Sequence, residues 1–465
     1  MVFSSSVFLL LFLPAVYIIN CCIKKEYSNY FLLIASLIFY AWGEPLFVFA
    51  MLASIVMNWF SARRISASTG VKKKIWLAAV AAADLFLLVL FKYSGFAARI
   101  ICRITGLEIT IPAFIRLPIG ISFFTFQAVS YIVDVYRGET EASDRLVNTA
   151  LYISFFPQLI AGPIVKYKDI NRQLTERSVT WIRSAEGFRR FIYGLAKKVL
   201  ISNALGLCVD TIYRYDIAVI DPGTAWIGAL AYTFQIYYDF SGYSDMAIGL
   251  GKMFGFDYLE NFDYPYLSSS VSEFWRRWHI SLGSWFKEYL YIPLGGNRKG
   301  KIRTYVNLSI VFLLTGLWHG ADTSFVLWGA YHGFFSIIER LGLGKALKKH
   351  RIISKAYCFL IVNFGWVLFR GENTTAGLKY LYRMVMPWNW HSEPIPYWNY
   401  LDYKTIFVFI AAVMGAGFLK RITPSGIQNR WKNSACEAFF CVALLILSIA
   451  SIASDTYNPF IYFQF

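Results

Sequence analysis

Tyr305-Val-Asn-Leu-Ser-Ile-Val-Phe-Leu-Leu-Thr-Gly-Leu-Trp-His319-Gly320 reads as a hydrophobic helix that carries a histidine to its far end and stops at a glycine. His319 lies 16 residues beyond Arg303, so a continuous helix would set it about 24 Å from the basic cluster at its start. That is the depth of a bilayer core. An ionisable side chain there is rare, faces protein or a water-filled cavity, and is a functional-site candidate by default. A second histidine sits in a similar setting, Phe274-Trp-Arg-Arg-Trp-His279-Ile-Ser-Leu282.

The rest of the chain agrees with a membrane setting. Of its 465 residues, 57% are hydrophobic, 19% aromatic and only 16% charged, a composition that excludes an ordinary soluble globule. About twelve or thirteen apolar stretches approach the length that spans hydrocarbon as a helix. They run near 3–20, 31–41, 46–60, 75–91, 117–136, 146–160, 191–212, 224–250, 305–318, 325–338, 356–369, 406–419 and 438–451. The first lacks a preceding basic region and a following cleavage site, so it reads as a membrane helix and not a secretion signal. The expected fold is all-α and polytopic, with 1–465 forming a single membrane-embedded domain.

The net charge of +17 is clustered. Lys24 and Lys25, then the blocks 63–74, 166–190, 276–303, 340–351 and 420–432, hold most of the Lys and Arg. Such excess marks cytoplasmic loops. Helix parity then puts both termini outside, with the Trp42-Gly-Glu-Pro45 turn and the tryptophan-rich loop 371–403. Topology and anionic lipid account for much of this charge, but a basic inner face also attracts the phosphates of coenzyme A or an acidic carrier protein. No nucleic-acid module interrupts the helices. The seven scattered cysteines show neither metal spacing nor a disulfide framework and read as small buried hydrophobes.

The segment 257–303 breaks the rhythm of spans, mixing tryptophans, tyrosines and cations, and reads as interfacial or re-entrant helices ending in the Pro293-Leu-Gly-Gly296 turn. Within it, the phrase running from Phe274 to Asn297 resembles the signature of the membrane-bound O-acyltransferase family. It is most similar to the bacterial branch of the alginate O-acetylation membrane protein, related to the teichoic acid D-alanyl transfer protein. Phe155-Phe-Pro-Gln-Leu-Ile-Ala-Gly-Pro163, Tyr237-Tyr-Asp-Phe-Ser-Gly-Tyr-Ser-Asp-Met246, Leu314-Thr-Gly-Leu-Trp-His-Gly320 and Trp328-Gly-Ala-Tyr-His-Gly333 agree in register. The resemblance implies a bundle of about 11–13 spanning helices around a central tunnel, entered by donor from the cytoplasm and by acceptor from the other side. It also implies that His319 is the family's invariant histidine and His279 its second recurrent one.

Acyl transfer from a thioester to a hydroxyl needs a base for the hydroxyl proton, and imidazole suits that role. His319 is the expected base, with Gly316 and Gly320 leaving room for a substrate to approach the ring. His279, beside Arg276 and Arg277, fits a supporting chemical role or a structural, donor-orienting one. Arg276, Arg277, Trp278, Trp318, Asn297 and Arg298 are the candidates for holding the donor, acetyl-coenzyme A or a carrier-protein thioester. No permanently bound cofactor and no metal is expected. Asp239, Ser241 and Asp245 form a polar cluster in an apolar stretch, read as an unwound or cavity-lining segment for tunnel or acceptor, with a buried hydrogen-bond network as the alternative. His332 either supports the site or packs in the core. His350 and His391 fall in loops.

The tail 454–465 ends Asn458-Pro-Phe-Ile-Tyr-Phe-Gln-Phe465 and is too apolar to stay in water. It is similar to the tail of alginate-type proteins and to the small partner peptide of the D-alanyl system, so Tyr462 is a candidate acyl relay. The expected activity is acetyl transfer across a bacterial cytoplasmic membrane to an extracellular or cell-wall polysaccharide, completed with an extracellular polysaccharide-modifying partner. D-alanyl transfer to teichoic acid, and a non-enzymatic polysaccharide transporter or scaffold, are the alternatives.

Overall fold

The computed structural model describes all residues except 113–114, 161, 389–393, 423–433, 455–456, 460 and 462–465. Its principal helices are α1 (Leu13–Cys22), α2 (Lys25–Ala41), α3 (Phe47–Ala67), α4 (Gly70–Thr105), α5 (Ile121–Arg137), α6 (Leu146–Ser154), α7 (Trp181–Ala196), α8 (Asn203–Tyr213) and α9 (Pro222–Met253). After these come α10 (Val271–Arg277), α11 (Ile280–Phe286), α12 (Lys301–His319), α13 (Thr323–Ile338), α14 (Arg351–Arg370), α15 (Thr374–Val385), α16 (Tyr403–Val413) and α17 (Ala435–Ser454). No strand is present among the described residues. α4, α7 continued through α8, α14 and α17 are each long and apolar enough to cross a membrane. Large side chains such as Leu10, Phe49, Phe86, Ile352, Phe407 and Phe439 are exposed on helix surfaces, as lipid-facing positions require.

The chain divides into two compact units. The first comprises Met1–Phe191 with Ser244–Leu259. In it α3 packs on α4 and α5, and α2 on α6. Buried Asp84 of α4 accepts hydrogen bonds from Ser54 (2.9 Å) and Asn58 (2.9 Å) of α3, so the carboxylate in this apolar interface is partnered. Gly187 of α7 and Gly249 of α9 face each other so closely that a Cβ on either would meet the other's carbonyl oxygen at 2.5 Å. Arg190 pairs with Asp245 (2.8 Å) beside that crossing.

The second unit comprises Ile192–Tyr243 with Glu260–Phe465. α12 and α13 form an antiparallel hairpin, α14 packs on α13, and α15 packs on α14. Asp322 caps α13 by accepting from the Ser324 amide (3.0 Å), which fixes the turn after His319.

Four sequence expectations change. The stretch 146–160 is not one span, because α6 ends at Ser154 after nine residues. Pro157 has no N–H to donate to the Ile153 carbonyl four residues back, so the helix breaks at Phe155 and a short turn (Phe156–Leu159) follows. The stretch holding Asp239, Ser241 and Asp245 is not unwound, since α9 is one helix of 32 residues. Each carboxylate instead has its own cation, Lys198 for Asp239 and Arg190 for Asp245. Finally, only Cys208, Cys358 and Cys441 are buried, while Cys21, Cys22 and Cys436 are exposed. The loop 371–403 also contains a helix, α15, whose amphipathic pattern was not read from the sequence.

Candidate active site

In the second unit the α12–α13 hairpin supplies His319, Trp328 and His332, α10 and α11 flank His279, and α14 adds Trp366 and Phe369. His319 is the last residue of α12 and only 5% exposed. Its ring lies among Trp318, Trp328 and Phe369, with centroids 4.9, 5.2 and 5.3 Å away. The glycines beside it pack the hairpin and do not open a path to the ring. A Cβ on Gly316 would overlap the Phe325 carbonyl oxygen, and one on Gly320 would overlap the Phe325 ring. Close helix approach at small residues is the usual way apolar helices associate in a membrane.

His279 joins α10 to α11 with φ 47° and ψ 54°. It and Tyr264 are the described non-glycine residues with positive φ, a strained conformation that persists where the surroundings enforce it. Asn261 does the enforcing. Its backbone carbonyl accepts from the Ile280 amide (2.9 Å), and its Oδ1 accepts from the Ser281 amide (3.1 Å) and hydroxyl (2.8 Å). Because Oδ1 faces an amide N–H, it must be the oxygen of that side chain. His279 Nδ1, 3.2 Å from the same atom, is therefore the protonated nitrogen. The neutral ring then carries its lone pair on Nε2, the tautomer a base or acceptor needs. α10 and α11 have seven residues each, too few to span a bilayer. Burial holds the His279 imidazole well below its ordinary pKa, and the nearby His319 charge acts in the same direction.

The module bearing His279 is anchored at its other end. Ser270 caps α10 by accepting from the Glu273 amide (3.0 Å), and Glu273 reaches back to the Ser269 amide (2.9 Å), a reciprocal cap. Glu339, at the end of α13, accepts from the amides of Val271 (2.6 Å) and Ser272 (3.1 Å), setting a carboxylate on the positive end of α10. Asn261 and Glu339 were not singled out from the sequence. The signal available was an Asn and a Glu without an obvious partner near apolar segments.

A cavity of about 470 Å³ reaches His279. Its wall includes Trp275, Phe286, Leu308, Phe312 and Thr315, and Arg276, Lys287 and Arg340 supply positive charge. Thr315 precedes His319 by one helical turn on the same face of α12. Of the donor-binding candidates, Arg276 lines this cavity. Arg277 is tied to Glu273 (3.0 Å) and Asp263 (3.3 Å). Trp278 is buried against Trp366 (4.7 Å). Trp318 stands between the two histidine rings, 6.1 Å from His279 and 4.9 Å from His319. Asn297 and Arg298 are exposed on the turn before α12. A larger cavity of about 860 Å³ lies in the first unit, but it mixes Lys24, Lys25 and Arg145 with Glu26, Glu141 and Asp144 and contains no histidine.

His332 is fully buried between Trp275 and Trp328, each 5.1 Å away, and neither ring nitrogen has a hydrogen-bond partner among the described residues. Ser241 is buried, and its hydroxyl likewise has no such partner. His350 is exposed at the start of α14. His391 and Tyr462 lie outside the described residues.

One histidine is thus buried at the end of a long apolar helix, and a second sits on a strained turn at a basic-rimmed cavity. Residues 143–343 match the model of the membrane-bound O-acyltransferase family, MBOAT. Full-length similarity agrees: the chain is 40% identical to the probable alginate O-acetylase AlgI of Pseudomonas putida over 100% of both chains. The chain therefore belongs to the membrane-bound O-acyltransferase family and is an all-helical, polytopic membrane O-acyltransferase. It is also 36% identical to the peptidoglycan O-acetyltransferase of Helicobacter pylori, over 83% of this chain and 80% of that one. It is 26% identical to the teichoic acid D-alanyltransferase of Bacillus subtilis, over 55% of this chain and 69% of that one.

Proposed function

We propose that this protein moves an acetyl group from a cytoplasmic thioester across a bacterial cytoplasmic membrane for O-acetylation of an extracellular or cell-wall polysaccharide. The observation that carries the reading is the basic-rimmed cavity that reaches His279 and is lined by Thr315, one helical turn before His319 on α12. Arg276, Lys287 and Arg340 match the phosphates of coenzyme A or the phosphopantetheine of a carrier protein. The apolar wall suits the thioester end. His319 takes the proton of the acceptor hydroxyl as its oxygen attacks the thioester carbonyl. The C–S bond breaks, and the imidazolium returns the proton to the departing thiolate. His279, held by Asn261 as the Nδ1–H tautomer, supports the reacting centre with its Nε2 lone pair.

In this scheme the first acceptor is the Tyr462 phenol, and the resulting aryl ester is then attacked by a sugar hydroxyl, releasing the tyrosine. An extracellular polysaccharide-modifying partner completes that second step. Acetyl is favoured over D-alanyl because the relatives similar over most of the chain carry acetyl-transfer names, and because the aromatic tail belongs to this polypeptide. The clustered cations support an orientation with the basic loops in the cytoplasm and both termini outside.

The test uses reconstituted protein and labelled acetyl-coenzyme A, with peptide mapping of any label in the parent, His319→Ala, His279→Ala and Tyr462→Phe. Label on Tyr462 that disappears in His319→Ala supports the scheme. Label that persists in His319→Ala removes that histidine as the base.

A further inference from the structure

The carboxyl-terminal tail is held by one face of the helix that runs from α7 to α8. That helix contains a π-helical turn, Lys197–Ser202, and such turns recur at functional sites. The extra residue of the turn brings Lys198, Asn203, Gly206 and Asp210 into one line. The tail lies along it in the opposite direction. Tyr457 donates its hydroxyl to Asp210 Oδ2 (2.6 Å), whose Oδ1 accepts from Arg370 (3.0 Å). Asn203 Nδ2 donates to the Tyr457 carbonyl and to Asn458 Oδ1, both at 3.3 Å. Lys198 donates to the Pro459 carbonyl, and the Ile461 amide donates to Asp239 Oδ2 (3.0 Å). Lys198 and Asp239 are themselves paired at 2.6 Å, with side chains 1% and 2% exposed.

A buried ion pair is poor evidence for stability, because desolvation offsets most of the attraction; its best-attested use is to specify one arrangement among several. Here each member also satisfies one backbone group of the tail, the ammonium a carbonyl and the carboxylate an amide. A tail shifted by two residues would present Pro459, which has no N–H, where Asp239 needs a donor. Gly206 completes the fit, since a Cβ there would stand 2.9 Å from the Tyr457 hydroxyl and 2.7 Å from Gln235. Burial and the Asp210 carboxylate both raise the Tyr457 pKa, so its phenol stays a donor.

We infer that Lys198 and Asp239 form a latch that fixes the register of the carboxyl-terminal tail, setting the backbone one residue before Tyr462. They are positioning residues. The catalytic consequence rests on the acyl-relay reading of Tyr462; the latch itself does not.

The experiment uses full-length protein in nanodiscs with two readouts, carboxypeptidase trimming followed by intact mass, and acylation by labelled acetyl-coenzyme A. Ile461→Pro removes the amide donor and leaves the ion pair in place. Lys198→Met removes the pair, and Gly206→Ala crowds Tyr457. All three are expected to be trimmed roughly tenfold to hundredfold faster than the parent, the population effect of losing one or two charge-assisted hydrogen bonds. Acylation should fall in the same order through kcat, with the KM for donor unchanged. Tyr462→Phe should be trimmed as slowly as the parent. Parent-like trimming of both Ile461→Pro and Lys198→Met overturns the latch, whatever the acylation result. Label retained in Tyr462→Phe overturns the relay alone, and the trimming rates still decide the latch.

Discussion

A single methyl group at Gly316 is expected to disable the enzyme without touching either histidine. On α12, a Cβ at this position would overlap the Phe325 carbonyl oxygen, and it would lie 3.1 Å from that carbonyl carbon and 3.2 Å from Gly329 Cα. These are backbone atoms of α13, so no side-chain rotation relieves the clash. The helices must separate until the contact reaches ordinary van der Waals distance, a displacement of about 1 Å. His319 is three residues further along α12 and moves with it, and a misplacement of about 1 Å at a reacting group costs on the order of a hundredfold in rate. Overpacking adds about 1–3 kcal/mol of destabilisation. Initial rates of acyl transfer from labelled acetyl-coenzyme A, with thermal unfolding in detergent, measure both. Gly95→Ala serves as the control, since its Cβ would meet only Arg99 Nη1 at 3.8 Å; it should leave the rate unchanged. A folded Gly316→Ala protein working at the parent rate would show that the hairpin spacing does not position the base.

Asn261→Leu removes the acceptor that sets the His279 tautomer, and the rate should drop about tenfold to hundredfold, the range seen when a metal-bound imidazole loses the hydrogen-bond partner that orients it; parent-like kinetics would disprove the orientation argument. Glu339→Gln removes a carboxylate from the start of α10 and should lower the unfolding free energy by about 1–2 kcal/mol, read as a lower melting temperature. Because His279 is held well below its ordinary pKa, it stays neutral where a free histidine would gain a proton, and the rate should show no acid limb near about pH 6.5 from this residue. A limb there that vanishes in His279→Gln would contradict that assignment. Arg276→Ala and Lys287→Ala should raise the KM for acetyl-coenzyme A, and the parent KM should rise with salt as the phosphate attraction is screened; a salt-independent KM would place the donor elsewhere.

Local pattern alone determined the class and several of the chemical groups of this protein. Apolar runs of spanning length, clustered cations and the Trp-His-Gly phrase at the end of one run were enough to place a buried histidine in a membrane helix, because the helix repeat is a property of the chain itself. The apolar tail had to dock for the same reason, since hydrophobic side chains cannot be left in water.

Pairing across distance was beyond the reach of pattern. Asp239 looked like part of an unwound segment until α9 proved continuous and Lys198, 41 positions earlier, proved to be its partner. Gly316 and Gly320 looked like open space beside His319 until Phe325 filled it. Asn261 and Glu339 were ordinary polar residues until the fold placed one on His279 and the other on α10. Hydrophobicity and helix period act between near neighbours in sequence, whereas a hydrogen bond, an ion pair or a close helix crossing depends on which elements the tertiary fold brings within a few ångströms.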